Sequence, residues 1–369
     1  MRRSMIRCGK YFAAFLALAI LLGGHASAEP YFAVRYGLKC QSCHVNPTGG
    51  GLRTDFGDVF AQTQLPAHRL PEPGLWTGEV AKWLRVGGNF RYDATFTQTP
   101  GAKTADHLQM QQGRLYAEAE PIPNRLIFYV DEQVTPGPGA PINREAYALL
   151  WSASHEWYLK AGRMYLPFGF RLQDQTAFVS DVSGITMYAP DNGLELGWLR
   201  GHWDTQLTVS QGTAAGSFPS TSGKEYGLQA SYVESAWRLG VAAHDDDSPF
   251  ARRRIFGVFG GLRTGPVDWL AQVDSVENEY APVRGVTQAA LLLEGDWLIA
   301  AGNNLKLTLE RFDPDRDANG NGETRWSLVY ELSPVQFLQL RAGVRDYYGP
   351  SSIPSERTKL FFVQLHGFF

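Results

Sequence analysis

Five consecutive residues, Cys40-Gln41-Ser42-Cys43-His44, are the residue types in this chain best suited to chemistry. Two thiols at a C-x-x-C spacing, followed at once by an imidazole, form the attachment signature of a c-type haem. The thiols of Cys40 and Cys43 add to the two vinyl groups of one haem, and the imidazole of His44 becomes the proximal ligand of its iron. The sequence therefore predicts one covalently bound haem c per chain.

Other uses of a cysteine pair fit this chain less well. The chain has three cysteines, and Cys8 lies in the N-terminal leader, so Cys40 and Cys43 have no third cysteine to pair with once the leader is removed. A structural zinc site needs four ligands, and the sequence offers no second cysteine pair. A thioredoxin-like redox pair would need a βαβ context, which the sequence lacks. Covalent haem is the interpretation that remains.

The second axial ligand of the iron is less well marked. No methionine lies between Cys43 and Met110, so the Met ligand of many small cytochromes c is missing from this segment. His68 is the other histidine near the motif, and we predict it as the distal ligand. A five-coordinate iron, or ligation by Met110 or His107 from the rest of the chain, are the alternatives.

Residues 1–28 have the pattern of a secretory signal peptide. Basic residues at the start precede an apolar stretch over 11–22, and Ala26-Ser27-Ala28 gives an A-x-A cleavage site. The apolar stretch is shorter than the about 20 residues that a membrane span needs. Export fits haem c attachment, which takes place beyond the inner membrane. The balance of 34 basic and 37 acidic residues argues against a nucleic-acid partner.

Residues 29–75 form a short haem segment that ends in a linker marked by Pro66, Pro71 and Pro73. A helical stretch is predicted over 54–64. So short a segment cannot bury much of a core by itself, and a covalent haem would supply the missing apolar centre.

The remainder, 76–369, alternates apolar and polar side chains in segments of strand length. Short connections such as 121–124 alternate with longer polar ones such as 211–223 and 313–321. That asymmetry is typical of outer-membrane barrels, and a soluble β-sandwich has no reason to show it. We therefore predict an all-β chain, a transmembrane antiparallel β-barrel of about sixteen strands. The predicted strands are 82–96, 107–120, 125–134, 143–152, 155–163, 192–200, 202–210, 224–234, 236–243, 251–262, 266–274, 286–297, 303–312, 322–333, 335–347 and 356–369.

Side-chain alternation gives each predicted strand one face for lipid and one for a wet lumen. In one strand near the C-terminus, Leu338 and Leu340 fall on one face and Arg341 and Arg345 on the other. The chain ends on Phe369, similar to the C-terminal signal of bacterial outer-membrane proteins. The longest connection, 164–191, is rich in aromatic residues, and it either folds inward as a constriction or lies outside as a surface lid.

The chain resembles the fused cytochrome–porin family of the bacterial outer membrane, whose best-known members oxidise iron. The shared features are a signal peptide, one haem c motif near the mature N-terminus and a C-terminal barrel. The resemblance implies thioether attachment at Cys40 and Cys43 and axial ligation by His44. The run Gly49-Gly50-Gly51 departs from the iron oxidisers, so the substrate stays open. The resembling residues are Pro30-Tyr31-Phe32-Ala33, Gly37, Cys40 to His44 and Phe56-Gly57.

Two functions follow from this combination. The chain is either an outer-membrane electron conduit or a porin for small solutes with a tethered haem plug or periplasmic carrier. The conduit would take a periplasmic cytochrome or other electron carrier as one partner and an extracellular electron donor or acceptor as the other, in contact with outer-membrane lipid. It would be at most an oxidoreductase acting on extracellular iron. The haem segment is expected to be periplasmic or inside the barrel mouth.

Overall fold

The computed structural model describes residues 29–71, 74–135, 143–212, 223–248, 251–280 and 284–369. The predicted signal peptide, 1–28, lies outside the described residues. A short strand, β1, precedes sixteen longer ones. The strands are β1 (Glu79–Ala81), β2 (Leu84–Gln98), β3 (Ala105–Ile122), β4 (Leu126–Gln133), β5 (Asn143–Trp151), β6 (Trp157–Met164), β7 (Asp191–Trp198), β8 (Trp203–Ser210), β9 (Lys224–Val233), β10 (Trp237–Asp247), β11 (Ala251–Thr264), β12 (Val267–Tyr280), β13 (Val286–Ala300), β14 (Asn303–Asp313), β15 (Glu323–Leu332), β16 (Leu338–Tyr348) and β17 (Lys359–Phe368).

Strands β2–β17 form a closed antiparallel barrel. Each strand pairs with the next one along the chain, and β17 pairs with β2 to close the ring. The closing register runs from Lys359 opposite Gln98 to Phe368 opposite Asn89. Closure removes the unpaired edges that an open sheet would present. The predicted all-β barrel of about sixteen strands is confirmed, and each predicted strand overlaps an observed one.

The side chains of the barrel wall alternate as the sequence pattern predicts. In β8, Asp204 and Gln206 point inward and are buried, whereas Leu207 and Val209 lie on the outer surface, 50% and 43% exposed. The outer surface carries many such aliphatic and aromatic residues, and a lipid environment would cover them. The inner surface is largely polar, and contacts with the lumen contents bury most of it.

The two ends of the barrel differ in the length of their connections. One end, called here the short-turn end, carries the connections 123–125, 152–156, 199–202, 234–236, 265–266, 301–302 and 333–337. The N-terminal segment enters β2 and the chain leaves β17 at this same end. The opposite, long-loop end includes 99–104, 165–190, 314–322 and 349–358.

The lumen is occupied by two parts of the chain. The N-terminal segment enters it with helices α1 (Pro30–Arg35) and α2 (Asp55–Thr63), and the 165–190 connection enters it with α3 (Phe178–Ser183). Apolar residues of both parts belong to one cluster that also includes the wall residue Phe259. The main core of the molecule therefore lies inside the barrel. Among the described residues, no helix combines the length and apolar character needed to cross a membrane.

The 165–190 connection, called here the inner loop, folds inward. The carboxylate of Asp174 pairs with Arg345 Nη2 at 2.9 Å and with Arg325 Nη2 at 2.9 Å. The backbone N–H of Phe178 donates to Glu310 Oε2 at 2.7 Å, where α3 begins. These partners belong to β14, β15 and β16, so the loop is fixed to the wall at several points. Of the two predicted arrangements, the inward constriction is the one observed.

Candidate functional site

The haem motif forms a tight turn whose two thiols and imidazole line the same cavity. Residues Cys40–Ser42 adopt one turn of 3-10 helix. Cys43 N donates to Cys40 O at 3.1 Å, and His44 N donates to the same oxygen at 3.0 Å. Both cysteines are free and half-buried. The structure therefore brings together the three residues predicted for haem attachment.

A small hairpin follows the motif and curls back over it. His44 and Arg53 form an antiparallel bridge, and Val45 N donates to Leu52 O at 3.0 Å. The tip of the hairpin is the run Gly49-Gly50-Gly51, with φ values of +90°, +84° and +69°. These angles are in the left-handed region, where a side chain is strained. The glycines that depart from the iron oxidisers therefore have a local role in closing the hairpin.

Helix α2 packs directly on the motif. The Thr54 side chain caps it by accepting a hydrogen bond from Gly57 N at 3.1 Å. A Cβ at Gly57 would lie 2.1 Å from Cys43 O, so only glycine allows this approach. On its other side, the Phe60 ring meets the Phe32 ring edge-on at 5.9 Å. Gly57, one of the residues named in the resemblance, thus lets the helix pack closely on the motif.

The segment is bound to the barrel wall at two separate places. Arg35 Nε pairs with Asp268 Oδ2 on β12 at 2.6 Å. Lys39 Nζ donates to Leu199 O at 2.7 Å and to Trp203 O at 2.6 Å, at the β7–β8 turn. Because these partners lie on different strands of the ring, they hold the segment inside the lumen at the short-turn end.

Further contacts fix the part of the segment that follows the motif. Asn46 Nδ2 donates to Glu145 Oε1 on β5 at 2.9 Å. Arg85 on β2 donates to Arg53 O at 2.9 Å and pairs with Asp58 Oδ2 at 3.3 Å. These contacts are buried or partly buried, where charge pairs are screened least by water.

The cavity lies between the segment and the barrel wall and is partly open to solvent. Aromatic rings, basic side chains, the motif and the glycine run line it: Phe32, Phe60, Tyr116, Phe170, Phe259, Arg53, Arg91, Arg114, Arg171, Arg238, Cys40, Cys43, His44, Gly49, Gly50, Gly51, Met187 and His366.

The cavity lining carries more positive than negative charge. Five arginines and Lys39 line it, against the acidic residues Glu29 and Asp204. Within the described part of the chain, the Nε atoms of Arg53, Arg91 and Arg238 are buried without a hydrogen-bond partner. Buried guanidinium N–H groups without a partner favour an anionic ligand, because carboxylate oxygens would accept hydrogen bonds from them. The carboxylates of a haem satisfy that requirement.

The histidine and the thiols of the motif are uncharged at neutral pH. Burial, together with the nearby Arg53 and Arg171, lowers the pKa of His44 to about 3. Burial also raises the pKa of Cys43 to about 11. Neutral imidazole is the form that ligates a metal. The motif therefore fits the predicted haem.

The structure does not bring the predicted distal ligand to the motif. His68 is exposed, and its backbone N–H donates to Pro334 O at 3.2 Å beside the β15–β16 turn. Met110 on β3 lies on the outer surface, 41% exposed, and His107 is also exposed there. None of the three lines the cavity.

Sequence reasoning missed His366, which does line the cavity. It lies on β17 and is 2% exposed. The available signal was its position on the polar face of the last strand, between the outward Leu365 and the C-terminus. That position is at the short-turn end, where the haem segment enters.

Comparison with solved structures identifies the barrel as porin-like. No family model matches the chain, and no curated protein matches it. Among solved structures, an anion-selective porin from Comamonas acidovorans is similar with a TM-score of 0.62 at 10% identity, over 78% of this chain and 99% of that one. The outer-membrane protein OmpT of Vibrio cholerae gives 0.58 at 9%, over 79% and 99%. OmpF of Salmonella typhi, in complex with daunomycin, gives 0.58 at 13%, over 78% and 97%. At these identities the likeness shows a porin-type fold.

Proposed function

We propose that this chain is a porin-type barrel of the bacterial outer membrane that holds one covalent haem c in its lumen and passes electrons across that membrane. The observation that carries the proposal is the position of Cys40, Cys43 and His44, which line a cationic cavity inside a closed barrel. The porin-type fold and the apolar outer surface support the location. When bound, the haem supplies a one-electron redox centre.

The chain contributes position and insulation to this function. Cys40 and Cys43 tether the group, and His44 orients it through its neutral imidazole. Arginine side chains of the cavity lining would hold its carboxylates. The inner loop contributes apolar and aromatic side chains to the cluster inside the lumen, and this cluster would oppose the passage of water and small ions. The apolar band of the membrane is about 25 Å tall, and a hydrated ion could not cross it through the lipid. A redox group inside the lumen would give electrons a path across this band.

The two ends of the barrel then face different partners. Short turns are periplasmic and long loops extracellular in known outer-membrane barrels. A periplasmic cytochrome or other carrier would dock at the short-turn end, beside the haem segment. An electron donor or acceptor would meet the long-loop end, and iron is the donor that the family resemblance implies.

Electron transfer can be tested with the full chain in liposomes that enclose a reduced dye. An oxidant that cannot cross lipid is added outside. The wild-type protein should allow dye oxidation, and His44→Ala should abolish it. His68→Ala is the matched control, because it removes an exposed histidine of the same segment that does not line the cavity. Equal oxidation with His44→Ala, or oxidation by small permeant oxidants alone, would contradict the conduit.

An anion porin is the second candidate. The cationic lining of the cavity favours it, and one similar structure is an anion-selective porin. Ion conductance in a planar bilayer separates the two functions. The conduit predicts low conductance, because the segment and the inner loop fill the lumen. A large, anion-selective conductance with the haem in place would favour the porin.

A further inference from the structure

We propose that His366 is the second protein ligand of the haem iron, in addition to His44. This inference rests on the proposed function, because it requires a haem in the cavity. It replaces the expectation for His68, which lies exposed and outside the cavity lining.

The fold brings His366 to the motif through a short chain of contacts. The backbone of His44 is bridged to that of Arg53. The guanidinium carbon of Arg53 lies 4.5 Å from the ring centroid of Phe368, and that ring lies 5.3 Å from the ring of His366. Both histidines line the same cavity. The last strand therefore presents an imidazole to the site that the first segment builds.

The imidazole of His366 is prepared for ligation by its neighbour. Its Nδ1–H donates to Gln339 Oε1 on β16 at 2.9 Å. With the proton on Nδ1, the lone pair of Nε2 is free to bind a metal. Metal-ligating histidines commonly donate their other nitrogen to a carbonyl in this way. Within the described part of the chain, Nε2 is buried and has no hydrogen-bond partner. A buried nitrogen of this kind points to a missing partner, and iron would be one.

Two other side chains of the cavity compete less well. The Lys39 ammonium already donates to two backbone carbonyls. Met187 lies in the inner loop, with its sulfur 3.8 Å from the Cβ position of Gly50. A thioether needs no hydrogen-bond partner, so a free sulfur carries no signal of a ligand. Met187 is nevertheless the best internal control.

Spectroscopy of the full chain, extracted from membranes in detergent, tests the assignment. The ferric wild-type protein should show a low-spin optical and electron paramagnetic resonance spectrum, typical of two axial histidines. In His366→Ala the low-spin signal should be lost, and the ferrous form should bind carbon monoxide readily. Met187→Ala and His68→Ala should keep the wild-type spectrum. Retention of the low-spin signal in His366→Ala, or its loss in either control, would overturn the assignment.

A second variant covers the case in which His366→Ala does not form a barrel. His366→Met supplies a thioether, so a sulfur–iron charge-transfer band should appear and the midpoint potential should shift to more positive values. The proposal would be contradicted if a folded His366→Met protein showed no sulfur–iron charge-transfer band and kept the midpoint potential of the wild type. A denaturing gel stained for haem keeps the two proposals apart. A wild-type chain without covalent haem refutes the proposed function, whereas a stained band with unaltered spectra in both His366 variants refutes only the ligand.

Discussion

Gly51 illustrates how single residues shape the lumenal segment. Its φ is +69°, and a Cβ there would lie 2.1 Å from the hydroxyl of Tyr129. Tyr129 has little room to move, because its ring stacks on Tyr147 at 4.9 Å. We expect Gly51→Ala to weaken docking of the hairpin by about 2–5 kcal/mol, from backbone strain and overpacking together. Hydrogen exchange of residues 45–54 in the intact barrel measures this loss of protection.

Gly50→Ala is the matched control for that experiment. Gly50 has a similar φ of +84°, but its Cβ would meet the flexible side chain of Arg171 at 3.4 Å. Its cost should be limited to backbone strain of about 1–2 kcal/mol. Equal loss of protection in both variants would mean that the contact with Tyr129 is not limiting.

Asp58 should make docking of α2 depend on pH. Burial, which outweighs the attraction of Arg53 and Arg85, raises the pKa of Asp58 to about 6. The docked carboxyl therefore keeps its proton over a range in which the undocked one has lost it. Docking should weaken as pH rises from about 4 to about 6, by up to about 3 kcal/mol. Amide exchange of α2 across this range measures the slope.

Two asparagine substitutions isolate the carboxyl responsible. Asp58→Asn should remove the pH dependence, because an amide does not titrate. Asp55→Asn should leave it intact, since Asp55 also pairs with Arg85 but its side chain is 78% exposed. A slope that survives Asp58→Asn would assign the effect to another group.

For single residues, the sequence predicts the role of neighbours in the chain well, but it predicts poorly which residues from distant parts of the chain come together. Cys40, Cys43 and His44 stand at a fixed spacing, so their joint role is visible without a fold. His366 is separated from them by the whole barrel. Its approach depends on the register that closes β17 on β2, and no local pattern encodes that register.

Among the elements, the inner loop controls how far the lumen is closed. Burial would raise the pKa of Asp174, but Arg345 and Arg325 outweigh it and hold this pKa below its usual range. The pair therefore stays charged above about pH 4 and is lost only in stronger acid. We expect Asp174→Ala to release the loop and increase ion conductance in planar bilayers.

Asp181→Ala provides the comparison for the inner loop. Asp181 lies on α3 of the same loop, but it is exposed. Its removal should leave conductance unchanged. If Asp174→Ala conducts no better than the wild type, the remaining contacts of the loop, such as the bond from Phe178 N to Glu310, are enough to hold it in place.

The strands were predictable, and the inner loop was not, for one physical reason. Successive residues of a barrel strand face lipid and lumen in turn, so apolar and polar residues alternate along the sequence with a period of two. The loop depends on pairings such as Asp174 with Arg325, which are 151 residues apart. Its aromatic content was visible, but its direction was not.

The whole molecule makes a prediction about orientation. The short-turn end should face the periplasm and the long-loop end the cell exterior. An epitope tag in 314–322 should therefore bind antibody on intact cells. A tag in 123–125 should bind only after the outer membrane is permeabilised. Labelling of both tags on intact cells, or of the second alone, would reverse or refute the arrangement.

The closed ring around the haem motif also has a consequence for biogenesis. With haem attached as proposed, the thioether bonds must form while Cys40 and Cys43 are still within reach of an attachment enzyme. Once β17 pairs with β2, the wall surrounds both thiols. Haem attachment would then precede docking of the segment inside the barrel. Because His366 belongs to the last strand, its iron bond would form at the moment of closure and mark the end of assembly.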